Sequence, residues 1–301
     1  MGEFHSGYVT MAGRPNVGKS TLLNRLVGQK IAITSNKPET TRDRIKAICT
    51  DPDRGQVIFT DTPGIHKARN RLGEFMMDAV RKALGDVDLI LYLIEPVTEI
   101  RDNDRKIAKT LIDTGVPVFL VINKADTVPR DKLLPVIDIW KTVGDFKEIV
   151  PVSAYNGTGT DDLLNTIFRY LPEGPMYYSE DAVTDETERD IASEIIREKS
   201  LYALNDEVPH GIAVSIEKMR KRDGRDLVDI EATIYCERES HKGIIIGKSG
   251  SMLKRIGSDS RYELEKMLGM KVNLKLWVKV QKGWRDRDAD LRRFGYRKDE
   301  D

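Results

Sequence analysis

The residues best suited to chemistry begin with a glycine-rich stretch near the N-terminus. Residues 13–20, GRPNVGKS, match the phosphate-binding pattern G-x-x-x-x-G-K-[ST] at every fixed position. Glycines let backbone N–H groups turn inward around phosphate oxygens, and a following helix adds the positive end of its dipole. Lys19 can neutralise phosphate charge, and the Ser20 hydroxyl can bind Mg²⁺. The residues expected to hold the phosphates are Gly13, Asn16, Val17, Gly18, Lys19, Ser20 and Thr21.

Two short polar motifs later in the chain indicate which base accompanies the phosphates. Residues 123–126, NKAD, and the pair Ser153 and Ala154 each follow an apolar run. The sequence here resembles the GTPase family, whose N-K-x-D and S-A motifs recognise guanine. The Asp126 carboxylate can accept hydrogen bonds from guanine N1–H and from the 2-amino group, which adenine lacks. An isolated N-K-x-D also suits an ordinary helix N-cap, but the order of the motifs favours guanine. The expected guanine contacts are Asn123, Lys124, Asp126, Ser153 and Ala154, with the Ala154 backbone donating to O6.

Two further stretches resemble the nucleotide-sensing segments of the same family. In the stretch DTPG, the resemblance implies that Asp61 holds Mg²⁺ and that the Gly64 N–H senses the γ-phosphate. Residues 39–43, ETTRD, resemble the first switch, in which Thr41, favoured over Thr40, is expected to bind Mg²⁺ in the GTP state. Release of both segments after loss of the γ-phosphate would make hydrolysis a conformational signal. The expected metal ligands are Ser20, Thr41 and Asp61, and the expected catalytic residues are Lys19, Thr41, Asp61 and Gly64.

One position departs from the pattern of signalling GTPases of the Ras type. Those GTPases place a water-orienting glutamine directly after the glycine that corresponds to Gly64. This chain has Ile65 at that position. An isoleucine neither orients nor deprotonates water, so we expect slow intrinsic hydrolysis, or an attacking water that is held by another group. Relatives with a hydrophobic residue here and a P-loop asparagine, which Asn16 matches, often use K⁺ to offset transition-state charge. K⁺ stimulation through Asn16 is therefore the hypothesis, and His66 is an alternative replacement base or an exposed switch residue.

The order of the predicted elements explains how these motifs come together. Helical patterns, such as residues 101–114, alternate with apolar, β-branched runs that predict strands. The predicted strands are residues 8–12, 56–60, 89–94, 118–122 and 149–152. Residues 44–51 and 56–61 predict a hairpin, because the turn between them is rich in Pro, Asp and Gly. The first domain is therefore expected to be α/β and doubly wound, with a mostly parallel sheet.

A break in the pattern separates this domain from a second one. Residues 171–175, LPEGP, end a predicted helix with two prolines and a glycine. Beyond the break the order becomes helix, strand, strand, helix, loop, helix, strand. We expect a GTP-binding domain at residues 1–172, a linker at 173–182 and an α+β domain with a C-terminal extension at 183–301.

The second domain contains a different glycine turn. Residues 247–250, GKSG, form a G-x-x-G loop between two predicted helices, and with the order of elements the domain resembles a type II KH domain. In such a loop the sugar-phosphate backbone of an RNA strand can approach closely while nearby cations contact its phosphates. A structural helix-turn-helix with a solvated basic face is the alternative. The residues expected to contact RNA are Gly243, Ile246, Gly247, Lys248, Ser249, Gly250, Lys254 and Arg255.

Further basic residues extend this surface. The last predicted strand, residues 271–280, alternates apolar residues with a face that carries three lysines and Trp277. Stacking of a base on Trp277 or Trp284 is one expectation, and a place in the core or at an interface is the alternative for each.

Charge is distributed unevenly although the totals cancel. The chain of 301 residues has 49 basic and 49 acidic side chains, which alone disfavours a nucleic-acid partner. Residues 176–237 carry 8 basic and 16 acidic side chains, whereas residues 238–285 carry 12 and 4. The basic block coincides with the G-x-x-G loop, so the count by segment favours RNA. The acidic helix predicted at residues 185–203 is expected to present a solvated face, and the alternative is that it faces the basic surface or the GTP-binding domain.

A GTPase domain followed by a type II KH domain resembles the Era family over residues 7–296. The resemblance implies a bacterial-type GTPase that binds GTP or GDP with Mg²⁺. It also implies binding of 16S ribosomal RNA near its 3′ end and assistance to maturation of the small ribosomal subunit, under the control of the bound nucleotide. A regulatory GTPase with protein or membrane partners is one competing hypothesis, and an RNA-binding protein with a purely structural nucleotide site is another.

Composition bears on the compartment. The two cysteines form no C-x-x-C and no secretory leader is evident, so neither a disulfide framework nor a thiolate zinc site is indicated. No apolar run approaches the roughly 20 residues that a membrane span needs. We expect a cytoplasmic monomer, with a peripheral pool on the cytoplasmic face of the cell membrane as an addition.

Overall fold

The computed structural model describes residues 3–65, 68 and 70–296. Contacts between residues divide the chain into two units. The N-terminal unit extends to Asp185, apart from the segments Ser35–Thr40 and Ala68–Phe75, which group with the C-terminal unit. The C-terminal unit otherwise begins at Glu186. His66, named above as a replacement base, lies outside the described residues.

A six-stranded sheet forms the centre of the N-terminal unit. In chain order, the elements are β1 (His5–Gly13), α1 (Lys19–Val27), β2 (Ile45–Asp51), β3 (Gly55–Asp61), α2 (Arg71–Ala83), β4 (Leu89–Ile94), α3 (Asp102–Ile112), β5 (Val118–Ile122), α4 (Leu133–Lys141), β6 (Glu148–Pro151) and α5 (Thr160–Tyr170). The strand order is β2-β3-β1-β4-β5-β6; β2 and β3 pair antiparallel, and the other pairs are parallel. This topology confirms the predicted α/β fold with a mostly parallel sheet.

Alternate residues of the central strands face the two sides of this sheet. Leu89, Leu91 and Leu93 of β4 belong to a buried cluster that includes residues of α1 and α5. Ile90 and Tyr92 belong to a second cluster that includes residues of α3 and α4. Because helices cover both faces, the strands are continuous apolar runs, and β4 and β5 have the predicted bounds.

The parallel strands place the sequence motifs at one edge of the sheet. The glycine-rich stretch follows β1, the DTPG stretch follows β3, and the NKAD and Ser-Ala motifs follow β5 and β6. All four loops leave the carboxyl ends of parallel strands, which is where ligands bind in open α/β sheets.

The C-terminal unit has the α+β order that the sequence predicts. Its elements are α6 (Glu188–Ala203), β7 (Ala213–Lys221), β8 (Leu227–Cys236), α7 (Glu239–Ile246), α8 (Ser251–Leu268), β9 (Lys271–Val280) and α9 (Asp288–Arg293). β8 lies in the centre of a three-stranded sheet, antiparallel to β7 and parallel to β9. α6 and α8 pack against each other, α6 contacts β7, and α8 contacts β9.

The predicted solvated face of the acidic helix is wrong for part of α6. Thr187 caps this helix by accepting a hydrogen bond from Asp190 N at 3.2 Å. Glu198 is 1% exposed and pairs with Lys199 at 2.9 Å, and Arg197 is also 1% exposed. Apolar residues on the same face of α6 are buried, and Arg197 and Glu198 are buried because they share that face.

The chain between α5 and α6 lies along β2 and β3. Gln56 Oε1 accepts hydrogen bonds from the backbone N–H groups of Tyr177 and Tyr178, both at 2.9 Å. Further along, Ile48 N donates to Val183 O at 2.9 Å. These hydrogen bonds make the segment part of the N-terminal unit.

Candidate nucleotide site and nucleic-acid interface

The turn of residues 13–18 is closed in by neighbouring strands. Gly18 has a φ of 97°, and a β-carbon there would lie 2.2 Å from Asn123 Nδ2. Gly13 has a φ of 151°, and a β-carbon there would lie 2.7 Å from Leu93 O. Both positions need glycine for backbone conformation and for close approach. The turn therefore has an enclosed backbone suited to a fixed group of phosphate oxygens.

Lys19 begins α1 and is almost completely buried beside this turn. Its Nζ donates to the carbonyl oxygens of Gly13, at 3.4 Å, and Arg14, at 3.2 Å. Burial lowers the pKa of Lys19, and the carboxylate of Asp61 opposes that shift. A buried ammonium whose hydrogen-bond partners are carbonyl oxygens lacks a full counter-charge, so an anion such as phosphate would stabilise it.

Three side-chain oxygens meet near Lys19. Asp61 Oδ2 accepts from Ser20 Oγ at 2.6 Å and from Thr41 Oγ1 at 3.1 Å, and the two hydroxyl oxygens lie 3.0 Å apart. Ligand oxygens about 2.1 Å from an octahedral Mg²⁺ are separated by about 3 Å. Asp61 is fully buried, and its Oδ1 has no hydrogen-bond partner within the described part of the chain. Burial raises the pKa of Asp61, although Lys19 opposes this. These residues fit a Mg²⁺ ion, which would supply the missing positive charge.

The structure brings Thr41, not its neighbour, to this cluster. Thr41 is buried, with its hydroxyl next to Ser20 and Asp61. Thr40 instead donates its hydroxyl to Lys37 O at 2.7 Å within its own segment.

Gly64 lies directly against the first turn. A β-carbon at Gly64 would lie 2.7 Å from Pro15 N, so only glycine permits this approach. The next residue, Ile65, donates its backbone N–H to Gly13 O at 3.1 Å and packs its side chain against the cluster that contains Tyr92. Ile65 therefore has a packing role.

Asn123 connects the first turn to the two motifs expected to recognise the base. Its Nδ2 donates to Val17 O at 2.8 Å, and its Oδ1 accepts from Ala154 N at 3.0 Å. The Ala154 N–H, expected to donate to guanine O6, therefore already has a partner. To donate to O6 it would have to be shared with Asn123 or released by a rotation of the Asn123 side chain.

The other residues of these motifs are arranged around Asn123. Lys124 has a φ of 59° and forms an ion pair with Glu95. Asp126 is exposed and forms no hydrogen bond or ion pair with the other residues that the structure describes. Ser153 is fully buried. Asp126 is thus the carboxylate of this group that is accessible to a base.

Two arginines support the site through contacts that its motifs do not specify. Arg14 Nε pairs with Asp104, on α3, at 2.8 Å. Arg25, on α1, donates to Ala154 O at 3.2 Å and to Tyr155 O at 2.5 Å. Sequence reasoning missed both contacts, because each joins residues far apart in the chain with no local motif to mark the pair.

The turn of residues 247–250 joins α7 to α8. Gly247 has a φ of 72° and a ψ of 173°, a combination restricted essentially to glycine, and a β-carbon there would lie 2.8 Å from Met252 N. Gly250 has a φ of 77°, and no heavy atom lies within 4 Å of a β-carbon placed there. Lys248 and Ser249 are exposed. This turn therefore presents its backbone at the surface.

A groove of about 390 Å³ lies beside this turn, between α8 and β9. Lys254 and Arg261 supply positive charge, and Leu274 and Leu276 supply apolar surface. Cations beside an apolar wall suit a single nucleic-acid strand, whose phosphates and bases need different surroundings. The lining residues are Gly250, Leu253, Lys254, Gly257, Ser258, Arg261, Leu274 and Leu276.

The predicted RNA contacts are distributed over the turn, the groove and the two helices. Gly250 and Lys254 line the groove, whereas Arg255 lies outside its lining and pairs with Asp259 at 3.9 Å on the exposed helix surface. Arg261 lines the groove and was missed, although its position seven residues after Lys254 is a helical repeat that would have indicated it. The other predicted residues, on α7 or in the turn, are Gly243, Ile246, Gly247, Lys248 and Ser249.

The two tryptophans named above have different environments. Trp284 is fully buried and donates its indole N–H to Gly211 O at 2.9 Å. Trp277 on β9 is 44% exposed. Trp284 is thus a core residue, and Trp277 is the tryptophan of this pair that a base can reach.

Comparison with known proteins gives two family matches. The family described as 50S ribosome-binding GTPase matches residues 8–124, and the KH domain family matches residues 207–285. The first range contains the 13–18 turn, and the second contains the 247–250 turn and its groove.

Curated relatives match nearly the whole chain. GTPase Era of Clostridioides difficile (strain 630) is 51% identical over 294 residues, which cover 97% of this chain and 99% of the relative. GTPase Era of Lactobacillus helveticus (strain DPC 4571) is 54% identical over 298 residues, which cover 99% and 98%.

Two solved structures are similar over the same extent. One is a variant of Aquifex aeolicus Era bound to GDP·AlF4⁻, with a TM-score of 0.94, 43% identity, and coverage of 97% of this chain and 99% of the other. The second, with the same values, is Era in complex with MgGDPNP and nucleotides 1506–1542 of 16S ribosomal RNA.

Proposed function

Because this chain belongs to the Era family of GTPases, we propose that its nucleotide state controls binding to 16S ribosomal RNA near the 3′ end. Binding there would assist assembly and maturation of the small (30S) ribosomal subunit. The chain is a GTPase that converts GTP and water to GDP and phosphate. The observation that carries the RNA proposal is the groove beside the 247–250 turn, and the Era structure solved with 16S nucleotides supports it.

The geometry of the N-terminal unit supports specific roles in GTP binding. The 13–18 turn and Lys19 would hold the phosphates, and the Gly64 N–H would sense the γ-phosphate. Ser20, Thr41 and Asp61 would hold Mg²⁺, which when bound offsets phosphate charge. The residues proposed to hold the guanine base are Asn123, Lys124, Asp126, Ser153 and Ala154.

Two short segments support control of RNA binding by the nucleotide. Ser35–Thr40 directly precedes Thr41, and Ala68–Phe75 follows Gly64 by a few residues. Both segments group with the C-terminal unit, which contains the groove. Loss of the γ-phosphate would release segments that are part of the packing of that unit.

Co-sedimentation with purified ribosomal subunits tests the proposal. The protein with Mg²⁺ and a non-hydrolysable GTP analogue should pellet with small subunits, and with GDP it should pellet less. The variant Gly247→Asp should remain in the supernatant under both conditions. Equal pelleting with GDP and the analogue would contradict nucleotide control, and pelleting with large subunits alone would contradict the 16S target.

K⁺ is the monovalent cation proposed to support hydrolysis. Asn16 has a φ of 65° in the 13–18 turn, the position that the sequence assigns to a K⁺ ligand. Turnover at matched ionic strength should be faster in K⁺ than in Na⁺, and the difference should disappear in Asn16→Ala. Equal turnover of the unmodified chain in the two salts would rule this out.

A cytoplasmic monomer with a peripheral membrane pool completes the proposal. Among the described helices, none combines the length and apolar character needed to cross a bilayer. Fractionation of cells should leave most of the protein in the supernatant and release any membrane-associated part with high salt. Light scattering should give the mass of one chain, and a dimer mass would contradict the monomer.

A further inference from the structure

A buried arginine on α6 has no place in the sites described above. Arg197 is 1% exposed, and its Nε and Nη2 donate to the two carboxylate oxygens of Glu194, at 2.8 and 2.5 Å. Nη2 also donates to the backbone oxygen of Thr40, which belongs to the same unit. A helix of the C-terminal unit is thus hydrogen-bonded to the residue that precedes Thr41.

The stability of α6 alone does not account for this buried charge. Burying a guanidinium is favourable only when its N–H groups are well paired. Nη1 of Arg197 has no hydrogen-bond partner among the residues that the structure describes. An apolar side chain of similar length would fill the same space without that penalty, but it would lose the contact with Thr40.

The Thr40 carbonyl belongs to the peptide group that leads into Thr41. Because this group is planar, fixing the direction of the carbonyl fixes the direction in which the Thr41 backbone continues. The Thr41 hydroxyl then lies 3.1 Å from Asp61 Oδ2 and 3.0 Å from Ser20 Oγ. We propose that Arg197 is a positioning residue for GTP hydrolysis, which holds Thr40 so that Thr41 is presented to Mg²⁺.

This role predicts an effect on GTP and its analogue but not on GDP. Thr41 is assigned to Mg²⁺ only while the γ-phosphate is present, so Arg197 should matter for GTP turnover and for binding of a GTP analogue. It should not matter for GDP. A residue that only stabilises the fold would affect both nucleotides alike.

Arg197→Met in the full-length chain is the primary test. Arg222→Met, at a side chain that is 41% exposed, is the control for loss of a two-point arginine–carboxylate pair. Arg222 also pairs through Nε and Nη2 with one carboxylate, that of Asp229, at 2.6 Å for both bonds, and it lies in the same unit. Arg197→Met should lower kcat about tenfold and raise the Mg²⁺ concentration for half-maximal turnover severalfold, with GDP affinity unchanged. The proposal would be overturned if kcat and the Mg²⁺ requirement were the same in Arg197→Met as in Arg222→Met. A parallel loss of affinity for GDP and for the GTP analogue would also overturn it.

Two milder variants decide the question if Arg197→Met does not fold. Arg197→Lys keeps a donor for the Thr40 carbonyl and should recover most of the Mg²⁺ response. Glu194→Gln weakens the partner that orients the guanidinium and should raise the Mg²⁺ requirement by a smaller factor than Arg197→Met. A Mg²⁺ response in Glu194→Gln equal to that of the unmodified chain would overturn the proposal.

The inference rests on the proposed role of Thr41, and Thr41→Ala separates the two. If Thr41→Ala leaves the Mg²⁺ requirement unchanged, the assignment of Thr41 fails. If Thr41→Ala raises it and Arg197→Met does not, only the role of Arg197 fails.

Discussion

The 13–18 turn and the 247–250 turn both use glycine to bring backbone close to a ligand, but their surroundings differ. Side chains at Gly13 or Gly18 would collide with neighbouring residues, whereas Gly250 faces open space. Lys19, beside the first turn, is buried, and Lys248, in the second, is exposed. One turn is enclosed, and the other is open.

The difference corresponds to two kinds of ligand. Charges act more strongly in an enclosed site of low dielectric, so one fixed arrangement of donors can select one compact anion. Exposed cations act through water and are screened by salt, which suits contact with an extended strand. The enclosed turn should therefore be insensitive to salt and the open turn sensitive to it. Within the open turn, Gly250 should tolerate a side chain, whereas Gly247, which lies against Met252, should not.

Gly18→Ala should have the largest effect. A β-carbon there would lie 2.2 Å from Asn123 Nδ2, so the turn must move to admit it. Gly28→Ala is the matched control, because Gly28 also has a left-handed φ, 75°, but no heavy atom lies within 4 Å of a β-carbon there. We expect GTP affinity to fall about 100-fold in Gly18→Ala, or about 3 kcal/mol. Titration with a fluorescent nucleotide measures this, and affinities of the two variants within threefold of each other would refute the enclosed turn.

Gly247→Asp should act on the second turn alone. The substitution places a side chain 2.8 Å from Met252 N in a glycine-only conformation and adds a negative charge beside RNA phosphates. RNA affinity should fall about 30-fold, or about 2 kcal/mol, while GTP turnover stays unchanged. Gly250→Ala, in open space, should remain within about threefold of the unmodified chain. Filter binding and phosphate release give the two readouts, and loss of turnover would show that the turns are not independent.

The next largest effect should be a difference in salt dependence between RNA affinity and GTP affinity. If Lys248, Lys254 and Arg261 each contact a phosphate, the slope of log affinity against log salt is about −2 for a single strand, so RNA affinity falls about 15-fold between 50 and 200 mM salt. Arg261→Gln should make this slope less steep by about 0.7. GTP affinity should change much less over the same range. An unchanged slope in Arg261→Gln would remove that residue from the RNA contacts.

The two thiols should give the smallest effect. Cys49 on β2 and Cys236 on β8 lie in different units. Burial raises the pKa of Cys236 to about 11 and also raises the pKa of Cys49, so the reactive thiolate increases as pH rises towards these values. Mg²⁺ with a GTP analogue should slow alkylation of Cys49 about threefold, and RNA should slow that of Cys236 by a similar factor. Mass spectrometry measures both rates; equal protection of both thiols by either ligand would show that the units open together.

The nucleotide motifs were accessible from sequence because each is a short run of fixed residue types. The strands before them were accessible because burial on both faces makes them continuously apolar, as in β4 and β5. The G-x-x-G turn was found in the same way, by its two glycines between helical stretches.

Contacts that cross the chain left no comparable signal. Arg25 and Arg197 belong to no local motif, and their carbonyl partners lie 129 or more residues away. The burial of Glu198 was missed for a related reason: local charge predicts a solvated helix, while the packing of α6 against other elements decides which face is buried. Arg261 is different, because helical spacing from Lys254 would have identified it.

The edges of the two sheets carry a consequence for self-association. In the N-terminal unit, β2 is covered by the chain around Val183, and β6 at the other edge is only 4 residues long and ends at Pro151. In the C-terminal unit, the edge strand β9 carries Lys271, Lys275 and Lys279. Short strands, prolines and lysines all disfavour addition of a strand from another molecule. The three lysines therefore protect β9 from pairing with a second copy, and replacing them by apolar residues would expose the chain to aggregation.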